Sequence, residues 1–269
     1  MQFCENFRIV TSNVVEHIAA LAQPENVTCD RWIQWVELCT QQRLLLCCYI
    51  VECHQTTLLA RQPQPSLIQF SGCDLPFPTH SSLWDATNAM DWALAAQQYT
   101  HLPEYVYQVG PDTVSSAFDA FQSSLLIASY YHHFNGPIPD LAPPSFVAID
   151  HLLDNSPITR HQLLTAKLLQ VIPIRAILAV SGESWILSEK VPSAQAFSGY
   201  KTTLRAWIGG LWSGATEPHN QFVRDAVRLA IEILQHAMTV PSHTLRLELG
   251  ADMGLYFACL LYTSPSPRD

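Results

Sequence analysis

The chain has 269 residues and a formal charge of −9 from 14 basic and 23 acidic side chains; 48% of its residues are hydrophobic and only 14% charged. That length can bury a sizeable core in one large domain or two small ones. Polyanion binding relies on Lys and Arg to neutralise phosphates; the lysines are Lys167, Lys190 and Lys201, with no basic cluster, so no direct nucleic-acid contact by this chain is expected.

The longest apolar run, 44–51, is far shorter than the ~20 residues a bilayer needs, and no membrane partner is expected. The opening MQFCENFRIV lacks the basic and apolar blocks of a secretory signal, which points to an intracellular protein. An apolar excess with little charge implies large buried area or surface that a partner covers.

Helical periodicity dominates in chain order. Val14, Ile18 and Leu21 keep a helical rhythm that Pro24 stops. Asp30 is placed to cap a helix whose stripe is Trp32, Val36, Cys39, Leu46, Ile50, Cys53 and Thr57. Pro63 pushes Gln62 out of helical geometry, so this element is about thirty residues long, or ~45 Å. Pro63, Pro65, Pro76 and Pro78 hold the next segment extended. Ser81 or Ser82 can then cap a helix carrying both Trp84 and Trp92. Later helices are predicted at 113–134, 159–180, 194–212 and 218–238, with Thr216 capping the last ahead of Pro218. A Pro-rich break at 135–145, NGPIPDLAPPS, is a candidate hinge. Little of the chain alternates with strand period, so the fold expected is all-α: an irregular multi-helix domain with a long central helix and Pro-rich straps.

The cysteines do not read as a zinc module. Six of the eight fall at Cys29, Cys39, Cys47, Cys48, Cys53 and Cys73, with no CxxC pair. Cys39, Cys47, Cys48 and Cys53 lie on one predicted helix among Leu and Ile and are read as buried reduced thiols.

The order Trp-anchored helix, Pro-flanked strap, Trp-anchored helix resembles the central region of the fungal-specific transcription factor regulatory domain. In that family an ExxRRL-type helix leads to a Leu-Pro-x-Pro strap and a Leu-Trp-x-Ala element. The matching residues here are Glu37, Arg43, Leu44, Leu75, Pro76, Pro78, Leu83, Trp84 and Ala86, and Gln42 stands where the family has the first arginine of its pair. Gly182, Glu183, Ser184 and Trp185, followed by Leu204, Arg205 and Trp207, resemble a later part of the same region in factors whose zinc fingers use two cysteine and two histidine ligands. The segment 247–258, LELGADMGLYFA, is similar to the family's next helix, which is expected to begin near Leu245. The tail 259–269, CLLYTSPSPRD, resembles a translated sequencing adapter. The expected organisation is thus a partial helical regulatory domain over 1–258 and an artefactual tail over 259–269.

Motifs of catalysis and of metal or phosphate binding are incomplete in this sequence. Gly182-Glu183-Ser184 lacks the closing glycine of a nucleophile elbow. Asp150, His151 and Asp154 lack the further carboxylates of a metal-dependent phosphoryl-transfer site. His132 and His133 fit ordinary complements to a helix C-terminus. Gly209, Gly210 and Gly214 match no phosphate loop. The tryptophans Trp32, Trp35, Trp84, Trp92, Trp185, Trp207 and Trp212 read first as core, with a pocket for an apolar effector as the other use.

No catalytic, cofactor-binding or metal-ligating residue is assigned, and the domain is expected to be non-enzymatic. Glu37, Arg43, Arg61 and Asp74 are the polar residues of interest, with Arg43 expected to meet an acidic group or a carbonyl around the strap. The resemblance implies nuclear action in transcription by RNA polymerase II. It also implies partners among coregulators or the protein's own DNA-binding domain, with zinc confined to that separate module. A small-molecule effector and self-association are compatible with it. The alternative is a free-standing helical small-molecule-binding or scaffold protein.

Overall fold

The computed structural model describes residues 27–58, 75–98, 103–113, 118–131, 149–182, 193–209, 218–241 and 251–263. Among these, the ordered elements are α-helices and short 3-10 turns, with one isolated antiparallel bridge, Pro76 to Tyr105; the fold is all-α. The described chain divides into two compact units. One holds Met1–Glu52, Pro63–Tyr130 and Phe146–Asp154; the other holds Cys53–Gln62, Tyr131–Ser145 and Asn155–Asp269. The predicted helix around Val14, the 135–145 break, and Glu183, Ser184 and Trp185 lie outside the described residues.

The long helix α1 spans Cys29–Leu58, with Asp30 in its first turn; its residues up to Glu52 belong to the first unit and those from Cys53 to the second. Its stripe repeats every seven residues: Cys39, Leu46 and Cys53 are buried, joined by Trp35 and Tyr49. This phase leaves Cys47 and Cys48 exposed, which corrects their reading as buried thiols: they lie off the buried stripe. The expected single helix through Trp84 and Trp92 is two. The first, α2 (Ser81–Trp84), is capped by His80 rather than by Ser81 or Ser82; its Nδ1 accepts from the Ser82 N–H. The second, α3 (Ala89–Gln98), starts because Asn88 Oδ1 accepts from the N–H groups of Met90 and Asp91 at 3.0 and 2.9 Å, an N-cap that breaks the apolar rhythm. Trp35 and Trp92 pack with ring centroids 5.6 Å apart, in a cluster with Cys39, Leu83 and Ala96.

The helix expected over 113–134 is described as α4, Ala120–Tyr131. Asp119 sets its start by a reciprocal capping box: Asp119 Oδ1 accepts from the Gln122 N–H at 2.8 Å, and Gln122 Oε1 accepts from the Asp119 N–H at 3.0 Å.

In the second unit, the helix predicted over 159–180 is also two. Ser156 caps α5 (Pro157–Val171), and α6 (Ile174–Val180) follows after an 84° bend. Pro173 is the cause: it forces Ile172 into extended geometry and ends the helix before it. The remaining helices are α7 (Ala194–Gly209), α8 (Pro218–Thr239) and α9 (Ala251–Thr263). On α8, Val223, Ala226, Ala230 and Ile233 recur at helical spacing in a core shared with Leu164 and Leu168 of α5 and with Phe257 and Ala258 of α9. Gly254 lets α9 approach α5: a Cβ there would overlap Thr165 Oγ1 and stand 2.9 Å from its Cγ2. Among the described residues no single helix is long and apolar enough to cross a membrane; α5 and α6 pass that test only as a bent pair.

Candidate functional site

Of the residues that carry the resemblance in the first unit, the end of the strap and Trp84 meet Arg43, whereas Glu37 and Leu44 are exposed. The Arg43 side chain leaves α1 one turn beyond Cys39. Its Nη2 donates to the Thr79 carbonyl at 3.4 Å, at the end of the strap. Its guanidinium lies 4.7 Å from the Trp84 ring centroid and 4.9 Å from that of Phe121. A planar cation between two aromatic faces is attracted by their negative quadrupoles while its aliphatic stem covers apolar surface. The carbonyl partner expected for Arg43 around the strap is therefore Thr79.

The strap is held from its other side. Val106 N–H donates to the Leu75 carbonyl at 3.0 Å and Phe77 N–H to the Glu104 carbonyl at 2.7 Å. Leu75 and Phe77 are buried, and Phe77 packs on Phe118 with centroids 5.0 Å apart. Pro76 and Pro78 suit this path because neither needs to supply a backbone N–H. Gln122 Nε2 donates to the Pro78 carbonyl at 2.8 Å.

Asp119 is the acidic group of the site. One oxygen takes part in the α4 capping box and the other, Oδ2, accepts from the Ser81 N–H at 2.6 Å. A single carboxylate thus serves the N-termini of α2 and α4, where the partial positive charge of each helix favours an anion. Burial lowers the Arg43 pKa from its ordinary value, while Asp119, then Cys39, Asp85 and Cys47, act in the opposite sense. Arginine stays protonated through this range, so the site keeps its cation at neutral pH. The Cys39 thiol is pushed up to about 12 chiefly by burial, against a contact to Thr79 Oγ1 at 3.7 Å and the charge of Arg43. It is a neutral packing group and not a nucleophile.

The other sequence-level candidates fall elsewhere. Glu37 is exposed on α1, apart from this cluster. Arg61 and Asp74 lie outside the described residues. Asp150 and His151 are exposed on a 3-10 turn, and no group of three or more His, Cys, Asp or Glu among the described residues is placed to hold a metal. In the second unit, Gly182 has φ +87° at the end of α6, a left-handed conformation that suits glycine. Trp207 of α7 is buried and its Nε1 donates to the Val171 carbonyl at 3.1 Å, whereas Arg205 is exposed.

Sequence reasoning missed Asp119, Gln122, Thr79 and Phe121. The first two had a readable signal, the Asp-x-x-Gln of a capping box at 119–122. The arrangement is built for holding segments together: its polar atoms are paired with backbone, and its cation is covered by rings. No family model, curated protein or solved structure matches this chain.

Proposed function

We propose that this chain is part of the regulatory domain of a fungal-type transcription factor. It acts in the nucleus and controls a separate zinc-based DNA-binding module through intramolecular, coregulator or effector contacts. The observation that carries this reading is the meeting of three of the resemblance elements, Arg43, the strap and Trp84. Arg43, the Leu75-Pro76-x-Pro78 strap, Leu83 and Trp84 are far apart in sequence, yet Arg43 bonds the carbonyl that ends the strap and lies over the ring of Trp84. Motifs shared with a family by chance have no reason to serve one another, whereas motifs of one inherited packing unit do.

The reading is tested by fusing the chain to an unrelated DNA-binding domain in a fungal host and measuring reporter transcription. Output should differ from that of the DNA-binding domain alone, and Arg43→Ala should abolish the difference at equal protein level. Output identical to the DNA-binding domain alone would overturn the proposal.

A further inference from the structure

We propose that the first unit docks a basic amphipathic polypeptide segment on an acidic and apolar surface of α1 and α3. The chain divides its charge unevenly. The first unit holds 14 of the 23 acidic residues and only 3 basic ones, a net charge of −11. The second holds 9 acidic and 11 basic residues, a net charge of +2. The excess of negative charge therefore belongs to the first unit alone. The described basic residues of that unit are Arg31 and Arg43, and the Arg43 guanidinium is committed to the Thr79 carbonyl and two rings. The unit's carboxylates thus have few cations of their own.

On α1, Asp30 and Glu37 are exposed and flank Ile33, itself 47% exposed; steps of three and four residues set all three on one helical face. On α3, Asp91 is exposed and lies three residues before Leu94, with Met90 four before it. Leu94 and Met90 are 57% and 68% exposed. The two helices pack on each other through Trp35 and Trp92, so one packed pair carries both faces. Carboxylates set among exposed aliphatic side chains at helical spacing complement a segment in which Lys or Arg is interleaved with apolar residues. The field of the unit draws such a segment in, and the apolar side chains are covered once it lands. The same field repels nucleic acid, and a second copy with its own net charge of −9. Charge and exposure alone point to this partner, whether or not the chain regulates transcription.

The test is fluorescence anisotropy of labelled synthetic peptides titrated with the full chain. The probe is an amphipathic Lys/Leu peptide of about 18 residues, or five helical turns. Two companions of equal length separate its properties: a Lys/Ser peptide keeps the charge, and a Glu/Leu peptide keeps the apolar face. The Lys/Leu peptide should bind in the micromolar range, the Lys/Ser peptide at least about tenfold more weakly, and the Glu/Leu peptide not at all. Raising salt from about 50 to about 300 mM should weaken the Lys/Leu complex severalfold. Ile33→Ser/Glu37→Lys should cost at least about tenfold in affinity. Ile231→Ser/Glu232→Lys makes the same change of charge on α8 of the second unit and should cost less than about twofold. Melting temperatures matching wild type check that both variants fold. Equal losses in the two variants would mean attraction by net charge only, and equal binding of the Lys/Ser peptide would mean that the apolar side chains take no part. Either result, binding of the Glu/Leu peptide, or no binding of the Lys/Leu peptide at low salt would overturn the proposal.

Discussion

Arg43→Ala tests whether the cluster around the strap holds the first unit together. The substitution removes a guanidinium lying 4.7 and 4.9 Å from two ring centroids and a charged hydrogen bond to the Thr79 carbonyl. At partly buried sites each cation–π contact contributes about 1 kcal/mol. At 3.4 Å the hydrogen bond is near the end of the useful range, so it contributes at the low end, about 0.5–1 kcal/mol. The loss expected is about 2–3 kcal/mol, which for a unit of this size lowers the melting temperature by roughly 5–10 °C. Tryptophan fluorescence reports it directly, because Trp84 is a partner and Trp35 and Trp92 share the cluster beside it. Arg43→Lys keeps the charge but loses the flat face that fits between two rings, so it should fall between Ala and wild type. The partners are rings and a carbonyl instead of an exposed carboxylate, so added salt should leave the Arg-to-Ala difference nearly unchanged. A melting temperature for Arg43→Ala within about 1 °C of wild type would refute the assignment.

Other consequences follow from single residues. Gly254→Ala should destabilise the second unit by about 1–3 kcal/mol through overlap with Thr165, and adding Thr165→Ala should recover most of that loss in urea unfolding; independent losses that simply add would refute the contact. Asp119→Ala should lower stability by about 2 kcal/mol because it leaves two helix N-termini without their acceptor, whereas Asp119→Asn should lose less. Burial lowers the His54 pKa below its ordinary 6.5, so the folded state resists a proton that the unfolded chain accepts. This term's stability is intact above about pH 6.5 and declines as pH falls through the folded value; urea midpoints of His54→Gln should show a shallower acid slope than wild type. In the native chain Cys47 and Cys48 should react with a thiol reagent while Cys39, buried and pushed up to about 12, stays unlabelled until unfolding.

The long helix was legible because its buried residues keep one phase from Trp35 to Cys53, a signal that local chemistry does not interrupt. The two breaks were obscured by the same strength of pattern. Apolar spacing runs on through Asn88 and Pro173, but at one point a side chain captures the next turn's N–H groups and at the other a ring forbids helical geometry to its neighbour. Cys47 and Cys48 show the converse. Their residue type suggested burial, yet the repeat through Cys39, Leu46 and Cys53 turns them away from the core. At the candidate site the cation was readable but its partners were not. Every residue carries a carbonyl, so nothing local marks Thr79, and Phe121 meets Arg43 across a separation no periodicity spans.

The polar contacts of the first unit answer a question that its apolar pattern leaves open. Leu75, Phe77, Leu83, Trp35 and Trp92 are driven inward by area alone, but that force is non-directional and tolerates a strap shifted along α1. Hydrogen bonds do not tolerate the shift. The Thr79 carbonyl accepts from Arg43, the Pro78 carbonyl accepts from Gln122 and the Ser81 N–H donates to Asp119, three anchors at residues 78, 79 and 81 that reach α1 and the start of α4. Moving the strap by one residue would break all three at once and leave partly buried groups unpaired, at about 1–3 kcal/mol each. The cluster therefore fixes the register of the strap, and Arg43→Ala combined with Gln122→Ala should lose more than the sum of the single losses, since either anchor alone still holds the register. A double variant whose loss is additive within about 0.5 kcal/mol would mean that apolar packing sets the register by itself.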